Sequence, residues 1–327
     1  MGRRRKAALF LSLAAAVALT AGAANRPALR AARWLAPAQR MHALAFQPTE
    51  CLARSDDPGL ARRIAIGRAA FRTPLLLGGQ AARAGLTCNG CHRNGRGNPD
   101  FHFPGLSGAP GTADVTSSLM SSHRGDGIDN PRPIPDLSGP RSALKIARDP
   151  PQRTLEAFIH GLVTEEFDGP EPTPATLDGL ASYVRALSPA SCPAVSEQPL
   201  RLDTYLDDAR EGAQAALYAL DANDRPTARL MLASARTALG MIDERYASAE
   251  RRADRDVLWA QDRELAGLQS LVDAGGDPRG RIGAWIAAMP RWSNILRRDE
   301  PHSLFDAGRL REDLARSGPA ALAEPVR

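Results

Sequence analysis

Cysteine is scarce in this chain, which has four cysteines among 327 residues. Two of them, Cys88 and Cys91, lie close together, and no second pair follows at the spacing of a four-ligand zinc site. A thioredoxin-like redox pair would need strand–helix–strand surroundings, and the Gly- and Pro-rich sequence around Cys88 does not favour them. The scarcity of cysteine therefore argues against a zinc-stabilised fold and against a thioredoxin-like one.

Long apolar stretches are missing after the first residues. Residues 7–21 form an apolar run, but about 15 residues fall short of the roughly 20 that a membrane-spanning helix needs. Four basic residues precede this run, and Ala21-Gly22-Ala23 follows it as a small-residue cleavage site. We therefore expect residues 1–24 to be a secretory signal peptide cleaved near Ala23, and the mature chain to be a periplasmic protein without a transmembrane segment.

An excess of one charge is also missing from the predicted mature chain. The full sequence has 42 Lys and Arg residues against 37 Asp and Glu residues, but residues 1–24 carry four of the basic residues and none of the acidic ones. Without them, 38 basic residues face 37 acidic ones, distributed throughout the chain. This balance gives no reason to expect binding to nucleic acid or to an anionic membrane.

The most specific motif is Cys88-Asn89-Gly90-Cys91-His92, and it occurs once. The C-x-x-C-H spacing is typical of c-type haem attachment, because two thiols at this spacing bond the two vinyl groups of one porphyrin. The adjacent histidine then binds the iron as its proximal ligand. We therefore predict one covalent haem c, held by Cys88 and Cys91, with His92 on the iron.

The other two cysteines, Cys51 and Cys192, are candidates for a disulfide bond. Export to an oxidising compartment favours their pairing, and the bridge would close a loop of about 140 residues, for which chain-entropy models give about 4–5 kcal/mol of stabilisation. The alternative is two unpaired thiols.

The sequence predicts a mainly α fold with two domains. Residues 25–50 are an extension of uncertain structure, and residues 51–192 form the first domain, with helices beginning at Asp57-Pro58, at Thr154 and at Thr176 and long irregular loops between 78 and 151. Residues 199–316 contain four long stripes of apolar residues at helical spacing with short connections, which predict an antiparallel helical bundle. Residues 317–327 are predicted to be a frayed tail.

With these elements placed, residues 58–192 resemble a cytochrome c-like haem domain. More narrowly, they resemble the second haem domain of the bacterial di-haem cytochrome c peroxidase family, which includes its MauG-like relatives. The resemblance covers about two-fifths of the chain, and only the haem motif is highly specific by itself. The matching segments are Gly67-Arg68-Ala69-Ala70-Phe71, the haem motif, Pro135-Asp136-Leu137-Ser138-Gly139, Thr154-Leu155-Glu156-Ala157-Phe158 and Leu180-Ala181-Ser182-Tyr183-Val184-Arg185-Ala186-Leu187.

The resemblance implies contacts that the structure can test. In a cytochrome c fold the first and last helices cross, and Gly67 and Tyr183 are suited to that crossing, with Phe71 one turn further on. Cys51 and Cys192 lie just outside these two helices, so a bridge between them would tie the crossing ends together.

The chain also departs from the family in two ways. Members of the family use two haem domains, whereas this chain has one haem motif and no cysteine in residues 200–327. The family's distal methionine falls at Ala147, and a methyl group cannot bind iron. Met120, in a polar segment that gives it little reason to pack, is the leading substitute. The nitrogen candidates are His123 as runner-up, followed by His102, His160 and Lys145.

These features lead to one functional hypothesis with two alternatives. The first is a periplasmic mono-haem c-type cytochrome that carries single electrons to or from a redox partner protein, for which the helical domain would be a docking surface. A peroxidase-type haem enzyme with an open iron site and an external electron donor is the main alternative, and a haem-bearing sensor or assembly module is a third. The family's peroxidatic site has a Trp near the haem, and residues 58–192 contain no Trp, which favours electron transfer. The helical domain docks on the haem domain or on a partner, or only covers apolar surface.

Overall fold

A computed structural model describes residues 29–140, 144, 146 and 154–317 of the chain. Its described part is mainly helical, as predicted. The predicted signal peptide, the distal position Ala147, the candidate ligand Lys145 and residues 318–327 of the predicted tail lie outside the described residues. The α-helices are α1 (Arg40–Ala45), α2 (Pro58–Phe71), α3 (Gly79–Ala84), α4 (Cys88–Cys91), α5 (Thr154–Gly161), α6 (Pro174–Ala186), α7 (Leu202–Asp221), α8 (Arg225–Arg245), α9 (Arg252–Asp273), α10 (Arg279–Asp299) and α11 (Ala307–Ser317).

Helices α2 and α6 cross at very short distance. A Cβ atom at Gly67 would lie 1.9 Å from the carbonyl oxygen of Gly179, so only glycine allows the two backbones to meet. One turn further on, the rings of Phe71 and Tyr183 are 5.1 Å apart. These contacts confirm that Gly67, Phe71 and Tyr183 lie where the first and last helices of this region cross.

The starts of these helices follow from capping chemistry. The Asp57 side chain accepts a hydrogen bond from the Gly59 backbone N–H, and Pro58 occupies the first turn, as predicted. Helix α6 begins two residues before the predicted Thr176, because Thr173 caps it by accepting from the Thr176 N–H and Pro174 opens it. Thr154, predicted as an N-cap, is the first residue of α5.

Strand pairing integrates the N-terminal extension into the fold. The described residues contain four short strands, β1 (Phe46–Pro48), β2 (Thr112–Ala113), β3 (Arg132–Pro133) and β4 (Glu197–Pro199). Strand β1 pairs antiparallel with β4, so the extension is joined to the segment that leads into α7. Strands β2 and β3 form the other antiparallel pair. The extension, whose structure the sequence left undetermined, is thus part of the folded unit.

Cys51 and Cys192 form a disulfide bond, as predicted, with their Cα atoms 4.0 Å apart. Beside it, an isolated antiparallel bridge joins Leu52 to Leu187, the residue that ends α6. The Ser188 N–H also donates to the Cys51 carbonyl oxygen over 2.9 Å. The bridge therefore ties the approach to α2 to the end of α6.

Helices α7 to α10 are four helices of 20 to 22 residues each, and they lie within the predicted helical domain of residues 199–316. Helix α8 packs against α7 and α9, and α10 packs against the same two helices. Where α7 meets α8, a Cβ atom at Gly212 would lie 2.8 Å from the Ala235 backbone nitrogen. Among the described residues, no helix is both long and apolar enough to cross a membrane.

The two predicted domains share one hydrophobic core. Helix α2 packs against α6 and also against α7 and α8. Buried side chains continue without a break from Ile64 and Phe71 to Leu206 and Leu232. The Ser234 hydroxyl donates to the Ala69 carbonyl oxygen over 2.8 Å across this contact. The helical domain thus packs on the region that contains the haem motif, and docking on a partner stays a prediction.

Candidate haem-binding site

The C-x-x-C-H motif forms a single helical turn that other residues hold in place. Thr87 caps α4, its hydroxyl oxygen accepting from the Gly90 N–H over 3.0 Å. The Asn98 side-chain amide donates to the Gly90 carbonyl oxygen over 2.7 Å. Because Cys88 and Cys91 are three positions apart on this turn, their thiols lie on neighbouring positions of one face.

His92 ends the motif helix and has one ring nitrogen already engaged. Its Nδ1 lies 3.0 Å from the Pro135 carbonyl oxygen, which can only accept, so Nδ1 carries the proton and donates. Nε2 is then the nitrogen with a free lone pair. A metal-binding histidine is commonly oriented by such a bond from its second nitrogen. Burial lowers the pKa of His92 against the opposing effects of Pro135 and Asp136, which favours the neutral form that binds iron.

The turn at Pro135 is itself fixed to the loop that follows the motif. The Asp136 carboxylate accepts from the Ser138 N–H over 2.8 Å and from Arg96 Nε over 2.6 Å. The Leu137 N–H donates to the Gly95 carbonyl oxygen over 3.0 Å. Burial raises the pKa of Asp136, but the bonds from Ser138 and Arg96 outweigh it and the pKa is lowered. These contacts hold the carbonyl that orients His92.

An apolar cluster surrounds the two motif cysteines. Cys88 and Cys91 pack against it, and Cys88 also touches the main core. Met120 belongs to this cluster and is 2% exposed. The expectation that Met120 has little reason to pack is therefore wrong, because loops distant in sequence fold around it. The other buried members of the cluster are Leu77, Ala81, Leu86, Phe101, Phe103, Leu106, Ala113 and Phe167.

Met120 is thus in the same apolar environment as the thiols, and its role as distal ligand stays a prediction. The histidine candidates have other contacts in the described part of the chain. His123 is largely exposed, 3.8 Å from Asp168, and His160 bonds Glu171 over 2.9 Å. His102 has a buried Nδ1 without a described hydrogen-bond partner. His102 stands in the chain between Phe101 and Phe103, two members of the cluster that packs around the thiols.

Trp34 is a site residue that the sequence did not indicate. Its ring stacks on Phe103, with centroids 4.3 Å apart, and it packs against the cluster that contains the thiols. The extension reaches this position because Leu35 bridges Phe101 and the His102 N–H donates to the Trp34 carbonyl oxygen. A tryptophan outside residues 58–192 therefore lies at the site.

The thiols are not those of a reactive redox pair. Burial raises the pKa of Cys88 to about 12, and burial followed by the proximity of Cys88 raises the pKa of Cys91 to about 12. A nucleophilic or redox-active cysteine instead has a lowered pKa. Among the described residues no three His, Cys, Asp or Glu side chains converge as a metal-binding cluster. A haem iron needs no such cluster, and two adjacent thiols, one oriented imidazole and apolar surroundings are compatible with a covalent haem.

A buried charge network lies behind the motif. The Glu50 carboxylate accepts from Tyr183 Oη over 2.6 Å and from Arg72 Nη2 over 3.1 Å. Arg72 also donates to Asn94 Oδ1 over 2.8 Å, and the Asn94 N–H donates to Asn89 Oδ1 within the motif. The network therefore links the extension, α2 and α6 to the haem motif.

The same network reaches the helical region. Arg68 Nη1 lies 2.9 Å from Asp208 Oδ1 and also pairs with Glu211. Asp208 and Glu211 of α7 thus join the helical region to an arginine of α2. Arg210 instead pairs with Asp207 on the exposed face.

Comparison of this chain with protein-family models, with curated proteins and with solved structures gives no match in any of the three.

Proposed function

We propose that this chain is a periplasmic mono-haem c-type cytochrome that carries single electrons to or from a redox partner protein. The observation that carries the proposal is the orientation of His92. Its Nδ1 is engaged by Pro135, and it directly follows two thiols that pack in an apolar cluster. Similarity to the cytochrome c-like domain of the di-haem peroxidase family supports the same function.

Each residue of the site has a specific part in this function. When bound, the haem supplies an iron that takes up or releases one electron. Cys88 and Cys91 fix the porphyrin covalently, and the Pro135 carbonyl holds the His92 ring in one orientation and one tautomer. The apolar cluster with Met120 keeps water away from the group, which lowers the reorganisation that accompanies a change of charge.

Intact-mass spectrometry of the exported protein tests haem attachment. We expect the mature mass plus one haem, and the Cys88→Ala/Cys91→Ala variant should show the mature mass alone. His92→Ala should keep the covalent bonds but change the absorption spectrum, whereas His160→Ala, which alters a histidine paired with Glu171, should leave it unchanged. Zinc in place of haem, or two haems per chain, would refute the proposal.

Optical spectra of the ferric and ferrous protein, with and without carbon monoxide, test the electron-transfer function. A six-coordinate iron that does not bind carbon monoxide agrees with electron transfer, and rapid reduction by a periplasmic donor protein should follow. If Met120 is the distal ligand, Met120→Leu should create carbon monoxide binding. Binding already present in the unaltered protein would instead favour an open site.

A second candidate function is a peroxidase-type haem enzyme with an open iron site and an external electron donor. Trp34 favours it, because the extension places an indole ring beside the cluster that holds the thiols. Peroxide-dependent oxidation of a reduced donor should then occur and should fall in Trp34→Phe. Trp259→Phe is the matched control, since Trp259 lies on α9 against Arg252 and Arg255. No peroxide-dependent turnover would exclude this candidate.

A further inference from the structure

A cavity of about 190 Å³ lies behind the haem motif, between the extension, α4 and the helical region. Its lining includes Thr87, Asn89, Gly90 and Arg93 from the motif and its flanks, and none of the three predicted haem-binding residues. The lining also includes Trp34, Leu86 and Phe101 of the apolar cluster, so the cavity lies between that cluster and the helical region. Its volume is below the roughly 300–1,000 Å³ usual for drug-sized ligands, so it suits a small molecule or ion.

Two arginines in this lining have no carboxylate partner. Arg93 Nη2 donates to the Phe46 carbonyl oxygen over 2.6 Å. Arg245, which is 3% exposed, donates to the carbonyl oxygens of Leu304 and Leu44 over 2.7 Å each. In the described part of the chain, neither guanidinium lies within ion-pair distance of an Asp or Glu. Carbonyl oxygens satisfy some donors but do not neutralise a buried charge, which is costly to leave uncompensated.

The acidic residues that line the cavity are already engaged. Asp208 lies 2.9 Å from Arg68 and 3.4 Å from Arg72, and Glu244 pairs with Arg30. Tyr205, which also lines the cavity, cannot supply the missing charge either. Burial raises the pKa of the Tyr205 phenol, so it stays protonated at neutral pH.

The protonation energetics agree with this geometry. Burial lowers the pKa of Arg93, and this outweighs the raising effects of Tyr205, Asp100 and Glu197, while the charge of Arg245 lowers it further. Burial also lowers the pKa of Arg245 against the raising effects of Tyr205, which shares a hydrogen bond with it, and of Glu244. Both shifts have the direction expected for cations that lack a counter-charge. A bound anion would remove that deficit.

We propose that this cavity is a binding site for one small oxyanion, held between Arg93 and Arg245. Guanidinium groups present N–H donors in a planar fork that matches the oxygens of phosphate, sulfate or a carboxylate. Chloride is a single atom, so it cannot offer a separate pair of acceptor atoms to each guanidinium group. The protonated Tyr205 hydroxyl is a further donor in the lining.

The position of the site has a consequence that rests on the proposed function. An anion beside the residue that follows His92 would favour the ferric, more positive form of the haem. By linkage, an anion that binds the ferric form tenfold more tightly lowers the reduction potential by about 59 mV at saturation. The cavity would then adjust the potential to the anion concentration.

Isothermal titration of the haem-loaded protein with phosphate, sulfate, malonate and chloride at constant ionic strength tests the site. We expect one saturable site for at least one of the three oxyanions, and the strongest binder identifies the class. Arg93→Gln, which keeps a donor for the Phe46 carbonyl oxygen, should weaken oxyanion binding at least tenfold. Arg245→Lys should weaken it by a similar factor. The exposed Arg83→Gln should not change it. If Arg245→Lys does not fold, Arg93→Gln alone decides.

Three results would overturn the proposal. They are no saturable binding, equal binding of chloride, or binding that Arg93→Gln leaves unchanged. Anion binding that occurs only in the haem-free Cys88→Ala/Cys91→Ala variant would indicate that the two arginines bind the carboxylates of the haem itself. That result would also overturn the proposal. Anion binding by a protein that carries no haem when exported would refute the proposed function alone, whereas a normal haem spectrum without anion binding would refute this inference alone.

Discussion

The haem-motif loops and the helical region are built on different physical principles. Between residues 86 and 137 the longest helix is the four-residue α4, and the chain is held by side chains that bond to backbone, such as Thr87 and Asp136. Helices α7 to α10 satisfy their own backbone groups and bury apolar stripes. Regular backbone hydrogen bonds and buried apolar stripes thus stabilise the helical region. The haem-motif loops depend on individual polar contacts and, in our proposal, on a cofactor.

The two regions meet on α2, and a change there should affect both. In Gly67→Ala the new Cβ would lie 1.9 Å from a backbone oxygen of α6, so the helices must separate. We expect a loss of more than about 3 kcal/mol in the free energy of unfolding, or failure to fold. Thermal or denaturant unfolding followed by circular dichroism measures this change.

Gly283→Ala on α10 is the matched control. No atom lies within 4 Å of the added Cβ, and the site is an exposed helix interior, so we expect a gain of up to about 1 kcal/mol. Equal effects of the two substitutions would show that the crossing of α2 and α6 is not as close as described.

The sequence predicted the helical region better than the loops, because each signal was local. The apolar stripes of α7 to α10 and the Asp57-Pro58 start of α2 depend only on neighbouring residues. Burial of Met120, stacking of Trp34 on Phe103 and pairing of Asp208 with Arg68 depend on segments far apart in the chain. Spacing alone does not contain that information.

The same distinction applies to the site. The motif Cys88-Asn89-Gly90-Cys91-His92 could be identified because its chemistry lies within five residues. The disulfide was also within reach, since only two cysteines were left after the motif. The partners of Arg93 and Arg245, in contrast, are backbone oxygens of two segments about 260 residues apart, Leu44 and Phe46 in one and Leu304 in the other, which no pattern of residue types predicts.

Removal of the disulfide should destabilise mainly the haem-motif region. Cys51→Ala/Cys192→Ala opens a bridge between residues 141 positions apart, and we expect a loss of roughly 2–5 kcal/mol. Hydrogen exchange should increase around Leu52 and Leu187 before it increases in α8 or α9. Uniform loss of protection along the whole chain would show that the two regions unfold as one unit.

Glu50 connects both regions, and its titration should make the free energy of unfolding depend on pH. Burial opposes ionisation of Glu50, but the charges of Arg72 and Arg68 prevail and lower its pKa from 4.5 to about 2. The lowered pKa stabilises the fold above pH 4.5 by about 3 kcal/mol, and this contribution is lost as the pH falls from 4.5 to 2. The free energy of unfolding as a function of pH measures it.

Glu50→Gln should remove most of this pH dependence and leave Arg72 and Arg68 without one partner. Glu211 is the matched control within the same network, because burial raises its pKa and its contribution has the opposite sign. In Glu211→Gln the loss of stability between pH 4.5 and 2 should therefore persist. An unchanged slope in Glu50→Gln would mean that other carboxylates determine the acid sensitivity.

The smallest expected effects come from two helix caps, one in each region. Asp224 accepts from the Thr227 N–H over 3.0 Å at the start of α8, and Thr87 accepts from the Gly90 N–H over 3.0 Å at the start of α4. Replacing either residue by Ala removes one cap, which typically costs about 1 kcal/mol. In a protein without haem, the two losses should be similar.

Haem attachment should change the effect of one cap substitution and not that of the other. Covalent attachment at Cys88 and Cys91 holds α4 in place, so Thr87→Ala should reduce the stability of the haem-loaded protein by less than that of the Cys88→Ala/Cys91→Ala protein. Asp224→Ala should cost the same in both, since α8 is a 21-residue helix with its own packing. A double-mutant cycle that combines each cap variant with the cysteine variant measures the difference. Equal coupling energies of the two caps with the haem would contradict this expectation. They would show that the loops depend on the cofactor no more than the helical region does.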